Sequence, residues 1–327
     1  MRLPRRLLPI LATPALATPM LAPPAFAQAE WPNRPVNVVV AWPAGGSTDS
    51  LVRVITQFMA GAAGQGFVVE NRSGATGTLG HAYVARARGD GYTLLAGTNS
   101  TYAIAPHLMG SLPYDDAALV PISLLATTPQ MLVAHPSQPF SDFRGFLAYA
   151  RANPGRLSYA SSGNGGTSHL ATELLMQMAG LDMLHVPYRG GAPAAQAQLA
   201  GEVQVTFVDA ITAIPHLRAG TMRPLGVSTA SRTPLAPEVP TLAEAGLPGF
   251  ESSTDFAAFA PPETPAPLVG RIFTAFATAL ADPTVRERLL GQGVTPIAGR
   301  PEEFRAYQLR ESAKWGALIR ARNIRAG

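Results

Sequence analysis

One recurring unit constrains this chain most: a short β-branched apolar run, a glycine-rich loop dense in hydroxyls, then an amphipathic stretch at helical spacing. Residues 36–42 form such a run, followed by Pro43-Ala44-Gly45-Gly46-Ser47-Thr48-Asp49 and then by Leu51, Val52, Ile55, Phe58 and Met59. Residues 157–160 lead likewise into Ser161-Ser162-Gly163-Asn164-Gly165-Gly166-Thr167-Ser168-His169 and a second helical pattern. Similar strands begin at 67–70, 92–96, 183–187 and 203–208. Buried strands alternating with helices predict an α/β fold with mixed, mostly parallel sheets flanked by helices. The last third differs, with three amphipathic helices over 268–280, 284–290 and 302–319, and Gly291 and Gly293 as stops after the second.

Two crossovers organise the chain. Residues 122–135 form an apolar run broken by Thr127-Thr128-Pro129, and residues 225–230 lead into the connector Thr233-Pro234-Leu235-Ala236-Pro237. They predict one domain inserted in another: lobe I from 28–132 plus 230–327, and lobe II from 133–229. Residues 1–27 read as a signal peptide cleaved after Ala27, with Arg2, Arg5 and Arg6 ahead of a proline-broken apolar region and Ala25-Phe26-Ala27 at the cleavage site. The expected location is therefore the periplasm. Cleavage would remove three arginines and no acids from the formal +4, leaving +1. With one lysine, Lys314, and no basic run, nucleic-acid binding is not expected. The absence of cysteine excludes disulfides, thiol nucleophiles and Cys-based metal sites.

The loops carry the chemistry. Glycine permits positive φ and close backbone approach, while hydroxyls and first-turn amides face outward as donors aided by the helix dipole. That is an anion-binding arrangement. A third such unit is Gly97-Thr98-Asn99-Ser100-Thr101, and a fourth is Tyr188-Arg189-Gly190-Gly191-Ala192 ahead of Pro193. Asp209, directly after a strand, makes a fifth. A single Ser/Thr turn is more often a helix cap, and Ser47, Thr48 and Ser168 fit that role. Several turns split across two lobes shift the balance, because α/β ligands bind at the carboxyl ends of strands. Neither glycine loop has a dinucleotide or P-loop spacing, and no cofactor is expected.

Catalytic readings are weaker. The six histidines lack metal-ligand spacing, so no metal site is expected. An exported hydrolase or isomerase could still draw on Asp49, His169 and Asp209; alternatively, Asp49 orders its own loop and His169 packs or caps. Arg189 beside Gly190-Gly191 can fork onto a carboxylate or stand solvated. Trp42, Tyr102 and Tyr188 border the loops and can wall a pocket or pack in the core.

Further motifs run through the chain after residue 27: Trp31-Pro32-Asn33-Arg34-Pro35-Val36, the 43–49 loop, Val69-Glu70-Asn71-Arg72, Asp90-Gly91-Tyr92-Thr93-Leu94-Leu95, Leu112-Pro113-Tyr114-Asp115, the 159–165 stretch, His185-Val186-Pro187-Tyr188, the 239–249 segment and Asp282-Pro283. In their order and coverage the chain resembles the Bug-type solute-binding receptors of tripartite tricarboxylate transporters. It implies a two-lobed periplasmic binding protein of type II-like form with the ligand cleft between lobes. It further implies a non-catalytic receptor that binds a small organic carboxylate and delivers it to integral membrane transporter subunits; a receptor that presents its ligand to a membrane kinase would share the fold, and a monomer is expected. By position, the resemblance places Gly46, Ser47, Asp49, Thr98, Asn99, Ser162, Asn164, Gly166, Thr167, His169, Tyr188 and Asp209 at the ligand, and Arg189 joins them from its own chemistry. Two departures stand out. Residues 73–77 read Ser-Gly-Ala-Thr-Gly where the family more often has Pro-Gly-Ala-Gly-Gly, and Ala210 follows Asp209 where a small polar residue is common.

Overall fold

A computed structural model describes residues 31–325; the signal-peptide reading at 1–27 lies outside them. The elements run β1 (Val36–Val40), α1 (Ser47–Ala63), β2 (Phe67–Asn71), α2 (Thr78–Ala85), β3 (Thr93–Thr98), α3 (Ala105–Leu108) and β4 (Val120–Ala134). They continue with α4 (Phe143–Ala152), β5 (Ser158–Ser161), α5 (Thr167–Ala179), β6 (Leu184–Pro187), α6 (Gly191–Leu199), β7 (Val205–Asp209), α7 (Ala210–Arg218) and β8 (Arg223–Val227). The chain closes with β9 (Ser253–Ala260), α8 (Ala266–Ala281), α9 (Pro283–Leu290), β10 (Thr295–Pro296) and α10 (Pro301–Arg322).

The strands run in the order β2-β1-β3-β9-β4-β7-β5-β6, with β8 and β10 also on β4. Parallel pairing is confined to β2-β1-β3 and β6-β5-β7, the strand–helix–strand stretches of the sequence. The two long strands β4 and β9 pair antiparallel with every neighbour. The expected crossover at 122–135 is thus one strand. Its first part, to Pro129, pairs with β9, and Gln130 to Ala134 pair with β7. Pro129 lacks an amide donor and sits where β4 exchanges one partner for the other.

Helices cover both halves because their apolar residues recur at helical spacing. In α1, Leu51, Val52, Ile55 and Met59 are buried and pack with Val36, Val38, Leu94, Phe256 and Phe276. In α5, Leu175 and Met176 pack with Leu132, Phe146, Tyr159 and Phe207. Leu242, Leu247 and Phe250, beyond the expected boundary at 229, join this second core. Tyr102 is also buried, packed on Phe259 and edge-on to Phe304; core packing, not a pocket wall, is its role.

Candidate functional site

The exchange of partners along β4 is what builds the site. Register sets Gln130 opposite Asp209 and Thr128 opposite Thr254, so polar residues far apart in sequence meet at one point of the sheet. The loops after β1, β3, β5, β6 and β7 open there, at carboxyl ends of strands. They enclose a cavity of 390 Å³ whose lining includes Trp42, Ser47, Thr98, Ser162, Thr167 and Asp209. Pro43, Ala192, Pro193, Phe207 and Val208 supply its apolar wall.

Backbone conformation explains the glycines. Gly45, Gly163 and Gly165 have φ of 78°, 122° and 78°, a region costly for other residues. At Gly166 the constraint is space: a Cβ would lie 2.3 Å from Ser162 Oγ and 3.1 Å from the Gly163 carbonyl. The loops deliver three helix N-termini to the cavity, α1 after Gly46, α5 after Gly166 and α6 after Gly190, none with a side-chain cap. The amides of Ser47 and Thr48, of Thr167 and Ser168, and of Gly191 and Ala192 have no protein acceptor among the described residues. Uncapped first-turn amides carry partial positive charge and attract anions.

Beneath them lies a hydrogen-bonded polar floor. Thr254 donates to Asp209 Oδ1 at 2.6 Å and pairs with the Thr167 hydroxyl at 3.0 Å. Gln130 Nε2 donates to Thr167 at 3.3 Å, while its Oε1 accepts from Ser252 at 3.1 Å. Burial pushes the Asp209 carboxyl above the usual carboxylate range, opposed by hydrogen bonds from Ser47, Thr254 and Gln130 and reinforced by the Asp255 charge. Trp42 Nε1 donates to the Thr98 hydroxyl at 3.1 Å and fixes that edge of the cavity.

The expected contact residues divide into three groups. Gly46, Ser47, Thr98, Ser162, Thr167 and Asp209 line the cavity. Asn164, Tyr188 and the exposed Arg189 line a neighbouring outer hollow of 590 Å³ that shares Trp42, Pro43, Ser162 and Gly190 with the first. There the Thr76 hydroxyl donates to the Asn164 carbonyl at 2.7 Å, tying the 73–77 loop to the 161–169 loop. Asp49, Asn99, Gly166 and His169 stand behind the lining and hold it.

Asp49 accepts from the Gly45 amide at 3.0 Å, from Arg53 and from Asn71 at 3.0 Å. Burial alone would raise its carboxyl, but the bonds from Arg53, Gly45 and Asn71 keep it low. Asn99 donates to Asp255 Oδ2 at 3.1 Å and to the Ser253 carbonyl at 3.0 Å, clamping the β3 end to β9. His169 Nδ1 accepts the Gly165 amide at 3.1 Å, and its ring stacks on His185 with centroids 4.0 Å apart. Burial lowers both imidazoles to about 4, so both are neutral near pH 7. Asp49 and His169 are therefore loop braces, and Asp209 is the one titratable group in the cavity lining among the described residues. No cluster of three metal-ligating side chains occurs among those residues.

Gln130 and Thr254 are lining residues that the loops alone do not announce. Gln130 directly follows the Thr127-Thr128-Pro129 break in a mostly apolar run, which is the sequence signal for it; Thr254 has none beyond its polar neighbours Ser253 and Asp255.

The chain is similar to known proteins over most of its length. A family profile described as tripartite tricarboxylate transporter family receptor (TctC) matches residues 51–324. A UPF0065 protein from the tcbD-tcbE intergenic region of Pseudomonas sp. (strain P51) is 41% identical over 293 residues, 88% of this chain and 86% of the relative. The structure of R. palustris Rpa4515 with adipate superposes with a TM-score of 0.87 at 35% identity, covering 90% of this chain and 99% of the other. MatC (Rpa3494) from Rhodopseudomonas palustris, with bound malate, gives 0.83 at 34% identity, covering 88% and 100%. By profile, sequence and fold together, the chain belongs to the tripartite tricarboxylate transporter receptor family.

Proposed function

We propose that this protein is a periplasmic receptor that binds a small organic carboxylate in the cavity between two lobes and passes it unchanged to integral membrane transporter subunits. The observation that carries the reading is the convergence of three uncapped helix N-termini on a cavity with no lining cation among the described residues. Such a site holds a carboxylate through main-chain amides, and similar chains carry adipate and malate. One lobe comprises β1, β2, β3, β9, β10 and the first part of β4; the other comprises β5, β6, β7, β8 and the end of β4. Hydrogen bonds to a charged group contribute about 1.5–3 kcal/mol each. Four total about 6–12, against an association cost of about 4–15. Loops on one lobe alone would bind marginally, so closure of both lobes on one ligand supplies the affinity.

The bracing roles of Asp49 and His169 argue against catalysis, since neither reaches the cavity to move a proton. Calorimetric titration with a panel of small carboxylates, including malate and adipate, tests the reading. At least one acid should bind and be recovered intact, and the double substitution Ser162→Ala, Thr167→Ala should weaken that binding. Turnover of any acid, or binding of none, would overturn the proposal.

A further inference from the structure

Asp209 is an odd group to find in a receptor for anions. It occupies the N-cap position of α7, where an aspartate ordinarily accepts from its own first-turn amides, yet its side chain makes no such bond. It turns into the cavity instead, where it accepts from the Thr254 hydroxyl at 2.6 Å. A carboxylate offers about four acceptor positions, so the Thr254 bond leaves room for a ligand donor. Behind it lies a second buried carboxylate, Asp255, already engaged by Thr127, Ser253, Tyr307 and Asn99. Arg189, the cation expected to meet a ligand carboxylate, lines the outer hollow instead. Among the described residues no cation in the cavity lining neutralises Asp209, and an incoming carboxylate beside it would meet like charge.

Building on the receptor reading above, we propose that Asp209 selects the far end of the ligand. The cavity takes an acid with one carboxylate for the N-termini of α1, α5 and α6 and a hydrogen-bond donor, an ammonium or hydroxyl, for Asp209. A second carboxylate at that end is rejected. The wall of Pro43, Pro193, Phe207 and Val208 accommodates an apolar chain between the two ends.

The test is calorimetry with two length-matched series: straight-chain dicarboxylates, and monocarboxylates ending in ammonium or hydroxyl. The wild-type protein should bind the best donor-ended acid about tenfold or more tighter than its matched dicarboxylate. Asp209→Asn, nearly isosteric, should erase that preference and raise dicarboxylate affinity. Equal or tighter dicarboxylate binding by the wild-type protein, which requires no variant to fold, overturns the assignment while leaving the receptor reading intact. A preference that survives Asp209→Asn overturns it as well. Failure of every acid in both series to bind overturns both readings.

Discussion

Gly166 shows how tightly the ligand loop is built. A methyl group there would meet Ser162 Oγ and the Gly163 carbonyl, one of them backbone. Gly166→Ala should therefore cost about 1–3 kcal/mol, read as a lower denaturation midpoint, and should weaken carboxylate binding. Wild-type stability and affinity would show that the loop is not packed as described. The stacked histidines give a second residue-level prediction. Burial lowers His169 and His185 from 6.5 to about 4, so folding favours their neutral forms. The stability they contribute is complete above pH 6.5 and is lost as pH falls through about 4. Ring-nitrogen chemical shifts should remain those of neutral imidazole at pH 5.5; an imidazolium signal from either ring would contradict the bracing role. These residues also mark how far sequence could be read. Ser47, Ser162 and Thr167 stand beside glycines in local patterns that announce a loop, and all three line the cavity. Asp49, Asn99 and His169 carry the same polar signature; Asp49 and His169 are claimed by their own loops, the alternative the sequence offers, whereas Asp255, which claims Asn99, is brought there by folding.

At the scale of elements, the central feature is a helix start left without a cap. The first turns of α5 and α6 contain no acidic residue, which leaves their partial positive charge for a ligand. Placing a carboxylate in one of those turns should compete with the ligand while favouring the helix. Ala192→Asp is expected to raise the denaturation midpoint slightly or leave it unchanged, by about 0.3–1 kcal/mol, and to reduce carboxylate affinity about tenfold or more. Undiminished affinity would mean that α6 does not face the ligand. The alternation of apolar runs with helical spacing made most of these elements legible, β1, α1, β5 and α5 among them. The 122–135 stretch was harder. Its proline suggested a break, whereas Pro129 sits inside one long strand at the point where hydrogen-bonding partners change. Only pairing reveals that arrangement, and with it Gln130 and Thr254.

For the whole molecule, everything turns on where a bound carboxylate sits. Loops from both sides already touch through Thr76 and Asn164, and the position of a Gly190 Cβ lies 3.1 Å from Pro43. Three helix starts can therefore engage one small anion together. The most direct measurement is amide nitrogen–proton NMR of the protein saturated with the tightest-binding acid of the panel. The largest shifts should fall on Ser47, Thr48, Thr167, Ser168, Gly191 and Ala192. Shifts centred instead on Tyr188 and Arg189, with those six amides unmoved, would contradict that placement of the ligand.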